Sequence, residues 1–186
     1  MKKSFIKFTT FIVIAFFTSN AIAQSEQGDK ELGVDFNLGI GVGEYAPNTL
    51  FGAGIKGRFT VLDNLRLEVN MSYMFISETY EISEGGNVSS ETYNWALIEL
   101  CPNIHYIFEP LDGLFLYPLA GLGFAGATES GGGSAQISSL VLNAGAGAQY
   151  MFNDKWGANL EAKYKRITGD DAFSYINLAF GVVYKF

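Results

Sequence analysis

Residues 32–42 read LGVDFNLGIGV, with an apolar side chain at every even-numbered position. The positions between them hold only glycine, Asp35 or Asn37. Successive side chains of a β-strand point to opposite faces. An alternation of this length therefore predicts a strand with one apolar and one polar face.

The same alternation recurs along the rest of the chain. It appears in segments 50–61, 65–76, 92–108, 138–152, 156–167 and 174–186. Residues 114–127 are apolar on both faces and are interpreted as a strand by elimination; Leu116, Ala120, Leu122 and Phe124 are expected outward, and Gly121, Gly123 and Ala125 inward. Short and longer connecting segments alternate. The fold prediction is all-β: an eight-stranded antiparallel up-and-down transmembrane β-barrel.

Whether the apolar face points outward or inward decides whether the barrel is a membrane protein or a soluble one. A soluble barrel, such as a lipocalin, is apolar inside, whereas a membrane barrel is apolar outside. The polar face is rich in glycine, which suits a crowded interior, and the apolar face carries almost no charge apart from Arg166. Tyrosine and tryptophan residues near the strand ends resemble an interfacial girdle. These features favour the membrane barrel and leave a lipocalin-like barrel as the structural alternative.

The first 23 residues have the pattern of a secretory signal peptide. Lys2 and Lys3 precede the apolar run FIVIAFF at 11–17, and a small-x-small site, Ala-Ile-Ala, ends at Ala23. A membrane anchor is disfavoured because it needs about 20 consecutive apolar residues. We therefore expect a signal peptide at 1–23, a short periplasmic segment at 24–30 and the barrel at 31–186, in a Gram-negative outer membrane after Sec-type export.

Composition excludes several function classes. The formal net charge of the 186 residues is −7, which argues against nucleic acid as a partner. A single cysteine, Cys101, excludes an intramolecular disulfide and a multi-cysteine zinc site. The single histidine, His105, is expected to share the inner face with Asn103 and Glu99, and Ser72 is the only serine expected inside, which leaves little basis for a hydrolytic triad. We expect no enzyme activity, no cofactor and no metal site.

The C-terminal strand carries a specific resemblance. Residues 177–186, NLAFGVVYKF, alternate and end in phenylalanine, which resembles the C-terminal assembly signal of bacterial outer-membrane barrels. The chain is similar to the small eight-stranded barrels typified by OmpX and the OmpA membrane domain, and residues 98–126 resemble porin-family and PorT-like barrels of Bacteroidota. The resemblance implies periplasmic chaperones and recognition by the barrel-assembly machinery of Leu178, Phe180, Val182, Tyr184 and Phe186.

The polar face predicts a network of charges inside the barrel. Confined charges must pair, because an unpaired buried charge is costly. The network either fills the barrel as a structural plug or acts as a gate whose pairs exchange. The expected members are Asp35, Lys56, Arg58, Arg66, Glu68, Glu99, His105, Glu161, Lys163 and Lys165, with Lys185 as a further base.

The longer loops are acidic and contain no lysine or arginine. The charges either maintain solubility or form a surface for divalent cations or basic extracellular proteins. The longest loop, ETYEISEGGNVSSE at 78–91, could extend as a hairpin and bind protein by strand addition. The acidic loop residues are Glu78, Glu81, Glu84, Glu91, Asp170 and Asp171.

Together these patterns predict a monomeric barrel among outer-membrane lipids. Its expected role is structural, envelope-stabilising or adhesive. The alternative is a narrow porin-like transport channel gated by the interior charge pairs.

Overall fold

A computed structural model describes residues 26–43, 46–84, 87–129, 136–169 and 172–186, with side chains outside 78–93 and 129–138. The predicted signal peptide and the acidic residues Asp170 and Asp171 lie outside the described residues. No helix in these ranges is long and apolar enough to cross a membrane.

The described chain forms nine antiparallel strands. They are β1 (Lys30–Val42), β2 (Thr49–Leu62), β3 (Leu65–Glu84), β4 (Asn87–Tyr106), β5 (Phe108–Leu111), β6 (Leu114–Glu129), β7 (Gln136–Met151), β8 (Trp156–Ile167) and β9 (Ser174–Lys185). Strands consecutive in the chain are neighbours, except that β4 and β5 both pair with β6, and β1 pairs with β9. Because β5 continues β4 beyond Ile107, the closed wall has eight positions, which confirms the predicted eight-stranded barrel.

The register shows how strongly the strands are staggered. Asp35 can be traced from strand to strand through its paired residues. In one direction the trace passes through β2, β3, β4 and β6 and arrives at Ser139 on β7. Following them through β9 and β8 reaches Gln149 on the same strand. The offset of ten residues is the shear that closes the barrel, and eight strands with tilted geometry leave an interior that side chains fill.

The apolar face points outward. Val34 and Ile55 are each 59% exposed, whereas Asp35 is 4% exposed and Lys56 is 1% exposed. The ambiguous strand β6 follows the predicted phase, with Leu122 and Phe124 outward and Ala125 inward. This polarity is the inverse of a soluble barrel and rules out the lipocalin-like alternative.

The two ends of the barrel differ. Short turns join β2 to β3, β5 to β6 and β7 to β8, and we call this the turn end. The longer connections β1–β2, β6–β7 and β8–β9, together with the tip of the β3–β4 hairpin, define the opposite loop end. Aromatic side chains cluster around the turn end, in the pairs Tyr106–Phe108, Tyr150–Phe152, Trp156–Tyr184 and Tyr184–Phe186, with ring centroids 4.8, 5.7, 4.9 and 5.2 Å apart. Such girdles mark a membrane–water boundary.

Candidate functional site

Eleven charged side chains are buried among the described residues. One of them, Glu109, accepts a hydrogen bond from the backbone N–H of Gly113 at the β5–β6 turn. The other ten lie in the barrel interior, and we call them the charge network. Five are carboxylates and five are cations, so their formal charges balance. The members are Glu31, Asp35, Glu68, Glu99, Glu161, Lys56, Arg58, Arg66, Lys163 and Lys165.

The structure places all the predicted interior residues inside, with one correction to the charge count. Lys185 is not an interior base, because it lies at the rim and pairs with Asp29 at 2.6 Å. Glu31, which the sequence analysis omitted, points inward instead. With Glu31 inside and Lys185 at the rim, the charge network contains equal numbers of carboxylates and cations, whereas the sequence predicted more cations than carboxylates.

Glu161 is the centre of the network. Its carboxylate accepts hydrogen bonds from Lys56 at 3.1 Å, Arg58 at 2.5 Å, Lys163 at 2.7 Å and the Tyr117 hydroxyl at 2.9 Å. Four donors, from β2, from β6 and from its own strand β8, therefore meet at one carboxylate. The convergence ties opposite walls of the barrel together.

Arg58 joins this centre to the turn end. Its Nε donates to Glu68 at 2.7 Å, and its terminal nitrogens donate to Gln149 at 2.7 Å and to Tyr117 at 3.2 Å. Gln149 in turn donates to Glu31 at 2.9 Å. These bonds span the lumen near the turn end.

His105 serves as a packing and acceptor group in this layer. Its ring stacks on Tyr117 with centroids 4.7 Å apart, and Arg66 Nη2 lies 3.2 Å from its Nδ1. Ser72 is elsewhere in the interior and donates to Glu99 at 3.0 Å. The serine and histidine of a hydrolytic triad are therefore not brought together.

The Tyr117 ring packs over Gly147, its cross-strand partner on the neighbouring strand β7. A Cβ built on Gly147 would lie 2.5 Å from two atoms of the Tyr117 ring, which is closer than van der Waals contact allows. Only glycine at this position lets the ring reach Glu161 while it stacks on His105.

A second cluster surrounds Glu99 toward the loop end. Its carboxylate pairs with Lys165 and accepts hydrogen bonds from Ser72 and from Tyr175, the latter at 2.6 Å. The aromatic ring of Tyr175 is fully buried. This ring connects the charged interior to an apolar layer above it.

The apolar layer, which we call the apolar cap, closes the loop end. Its side chains occupy inward positions near the loop ends of their strands and pack in one buried cluster. The cap consists of Leu50, Met74, Ile76, Leu97, Cys101, Ala125, Val141, Ile167, Phe173 and Tyr175. The interior is thus closed by two different layers, one charged and one apolar.

The β3–β4 hairpin extends beyond the barrel wall at the loop end. The two strands pair continuously to Glu84–Asn87, whereas the β2–β3 pairing ends at Ile76 and the β4–β6 pairing ends at Trp95. Residues 77–84 and 87–94, which we call the hairpin extension, therefore form eight cross-strand pairs above the wall. The longest predicted loop therefore extends its strands as a hairpin, which the sequence analysis gave as a possibility, and its backbone carries Glu78, Glu81, Glu84 and Glu91.

Comparison with known sequences settles the family. A family profile described as "Outer membrane protein beta-barrel domain" matches residues 9–186. The chain belongs to this family. It is therefore a bacterial outer-membrane β-barrel, and because short turns face the periplasm in such barrels, the turn end is periplasmic.

Solved structures of family-like barrels share the fold. Neisserial surface protein A matches with a TM-score of 0.68 at 18% identity, over 86% of this chain and 100% of that chain. OprG from Pseudomonas aeruginosa matches with a TM-score of 0.62 at 12% identity, over 89% and 99%. Ail, the attachment invasion locus protein of Yersinia pestis, matches with a TM-score of 0.50 at 17% identity, over 87% and 100%. A search of curated proteins returned no match.

The residues of the predicted assembly signal lie on the barrel-closing strand. Phe180 and Val182 are exposed on the outer face of β9, where Leu178 and Tyr184 are half-buried, and Phe186 follows the strand at the turn end. β9 pairs with both β8 and β1, so it is the last strand needed to close the outer-membrane barrel. Recognition by the assembly machinery remains a prediction.

Sequence reasoning missed three polar residues of the site. Tyr117 has the same parity as the inward Gly121, Tyr175 the same parity as Asn177, and Glu31 the same parity as Asp35. Their odd-numbered positions, shared with residues already predicted to point inward, were therefore the sequence signal that could have identified them. Leu116 and Pro118, the apolar neighbours of Tyr117, concealed it there, and Tyr175 lies at the start of its strand, before the alternation is established.

Proposed function

We propose that this barrel is a surface-binding protein whose hairpin extension binds basic, extended segments of extracellular proteins. The observation that carries the proposal is the run of eight cross-strand pairs above the wall. Because the turn end is periplasmic, the extension projects outside the cell.

The backbone of the extension offers two open edges. Among the described residues, the outer edges of 77–84 and 87–94 pair with no further strand. Unpaired N–H and C=O groups along an edge are a template for a strand from another chain. Binding by strand addition uses these main-chain bonds for affinity and the side chains for specificity.

Charge favours a basic partner. Residues 77–94 contain four glutamates and no lysine or arginine. An acidic edge accelerates encounter with cationic segments and disfavours acidic ones. Neisserial surface protein A and Ail, the attachment invasion locus protein, share this fold, which is consistent with a surface role but does not define the partner.

The interior supports a plug more than a channel. The charge network crosses the lumen toward the periplasm, and the apolar cap crosses it toward the outside. A transport channel, the alternative function, needs both layers to open. The same packed interior suits a barrel that stabilises the envelope, and this role is compatible with partner binding.

The test measures peptide binding to the barrel in lipid nanodiscs by biolayer interferometry. The probe is a synthetic peptide of alternating lysine and valine, and the control is the same peptide with glutamate for lysine. A matched variant joins Ser77 to Asn94 through an Asn-Gly turn and so removes residues 78–93. We expect salt-sensitive binding of the basic peptide that falls at least tenfold in the shortened variant.

Three results would overturn the proposal. The shortened variant could bind the basic peptide as tightly as the full barrel, or the acidic peptide could bind equally well. Calcium could also bind the extension and eliminate peptide binding, which would make a divalent cation the ligand. Migration of the shortened variant as a heat-modifiable barrel controls for folding.

A further inference from the structure

The outward face of β2 has a gap near the periplasmic end. Gly57 occupies an outward position between Ile55 and Phe59, where the other outward residues of the strand carry side chains. Its cross-strand partners are Leu32 on β1 and Val69 on β3. A Cβ built on Gly57 would meet only Leu32 Cδ2, at 3.8 Å, so the space above it is open.

This gap joins two hollows into one groove along the wall. Each hollow has a volume of about 570 Å³, and both are lined by Leu32, Gly57 and Val69. One hollow extends to Trp156 and Tyr184, and the other reaches Lys30 and Phe186.

The periplasmic mouth of the groove carries one cation. Lys30 is exposed, and its ammonium forms no ion pair with any residue in the described part of the chain. Two other lysines lie near this rim: Lys185 is already paired with Asp29, and Lys155 lies on the β7–β8 turn, where its backbone carbonyl accepts a hydrogen bond from Lys185. A lysine beside an apolar wall extends its stem along the surface and places its charge at the headgroup level.

We propose that the groove binds one anionic phospholipid of the periplasmic leaflet. An acyl chain lies over Gly57 between Leu32 and Val69, and the phosphate pairs with Lys30. The membrane location follows from the family, and the charge of Lys30 selects an anionic headgroup. The proposal is independent of the hairpin extension and of its partner.

Native mass spectrometry of the barrel, released from vesicles of equal phosphatidylglycerol and phosphatidylethanolamine, tests this site. We expect a retained one-to-one phosphatidylglycerol adduct on the unmodified chain. Gly57→Leu fills the groove and should reduce the adduct at least tenfold. Ala53→Leu, on the same outward face of β2 but outside the lining, is the matched control and should retain it.

Lys30→Gln separates the headgroup contact from the acyl-chain contact. We expect this variant to retain lipid but to lose the preference for phosphatidylglycerol. Equal amounts of phosphatidylglycerol adduct on the unmodified protein and on Gly57→Leu would overturn the groove as the lipid site. Equal retention of both lipids by the unmodified protein would overturn the role of Lys30. A dimer that Gly57→Leu dissociates would make a second copy the occupant and would also overturn the proposal.

Discussion

At the residue scale, Gly147 tests how tightly the interior is packed. The Tyr117 ring above it is held by stacking on His105 and by its hydrogen bond to Glu161, so it cannot move aside freely. We expect Gly147→Ala to lower the free energy of unfolding by about 1–3 kcal/mol, the usual cost of overpacking. Urea titration of the barrel in lipid vesicles measures the change.

Gly57→Ala is the matched control for that substitution. The added methyl group faces open space there, with Leu32 Cδ2 at 3.8 Å. Backbone entropy alone would make Gly→Ala stabilising at both positions. An equal loss of stability in both variants would therefore show that contact with Tyr117 does not determine the cost.

Glu161 tests the charge network. Glu161→Gln removes the carboxylate that faces Lys56, Arg58 and Lys163 and leaves buried cations with insufficient negative charge. We expect a loss of about 3–5 kcal/mol in the free energy of unfolding, because one partner of a buried ion pair is removed. The same urea titration measures it.

Glu26→Gln, at an exposed side chain, controls for the loss of one negative charge. A Glu161→Gln variant as stable as this control would show that the network contributes little to folding.

At the element scale, the hairpin extension is separable from the wall. The β2–β3 and β4–β6 pairings both end below it, so no described wall strand depends on residues 78–93. We expect the variant without these residues to unfold within about 1 kcal/mol of the full barrel, since the change lies outside the packed interior. A larger loss in the urea titration would show that the extension supports the wall.

Strand alternation made most elements predictable from sequence. Period two revealed the two faces of β1 and of β8, because Asp35 and Glu161 interrupt apolar neighbours. Tyr117 was missed because β6 is apolar on both faces. The extension of the β3–β4 hairpin was predictable only as a possibility, because the alternation of apolar residues ends near residue 76 while backbone pairing continues to Glu84 and Asn87.

At the scale of the whole molecule, the closure of the barrel determines which interior side chains contact each other. Lys56 and Glu161 are 105 residues apart and meet only because a shear of ten brings β2 and β8 to one level. Alternation shows that each side chain points inward, but it contains no information about shear. The apolar cap follows the same logic, since Leu50 of β2 and Val141 of β7 belong to one cluster although their strands are not neighbours.

The central claim is that the lumen is closed and that the barrel acts through its outer surface. Single-channel recording of the refolded barrel in a planar lipid bilayer tests this most directly. Since the charge network and the apolar cap both cross the lumen, we predict an inserted, heat-modifiable barrel with no steady conductance. Steady openings that change when Glu68 or Arg58 is neutralised would contradict the account and make transport the function.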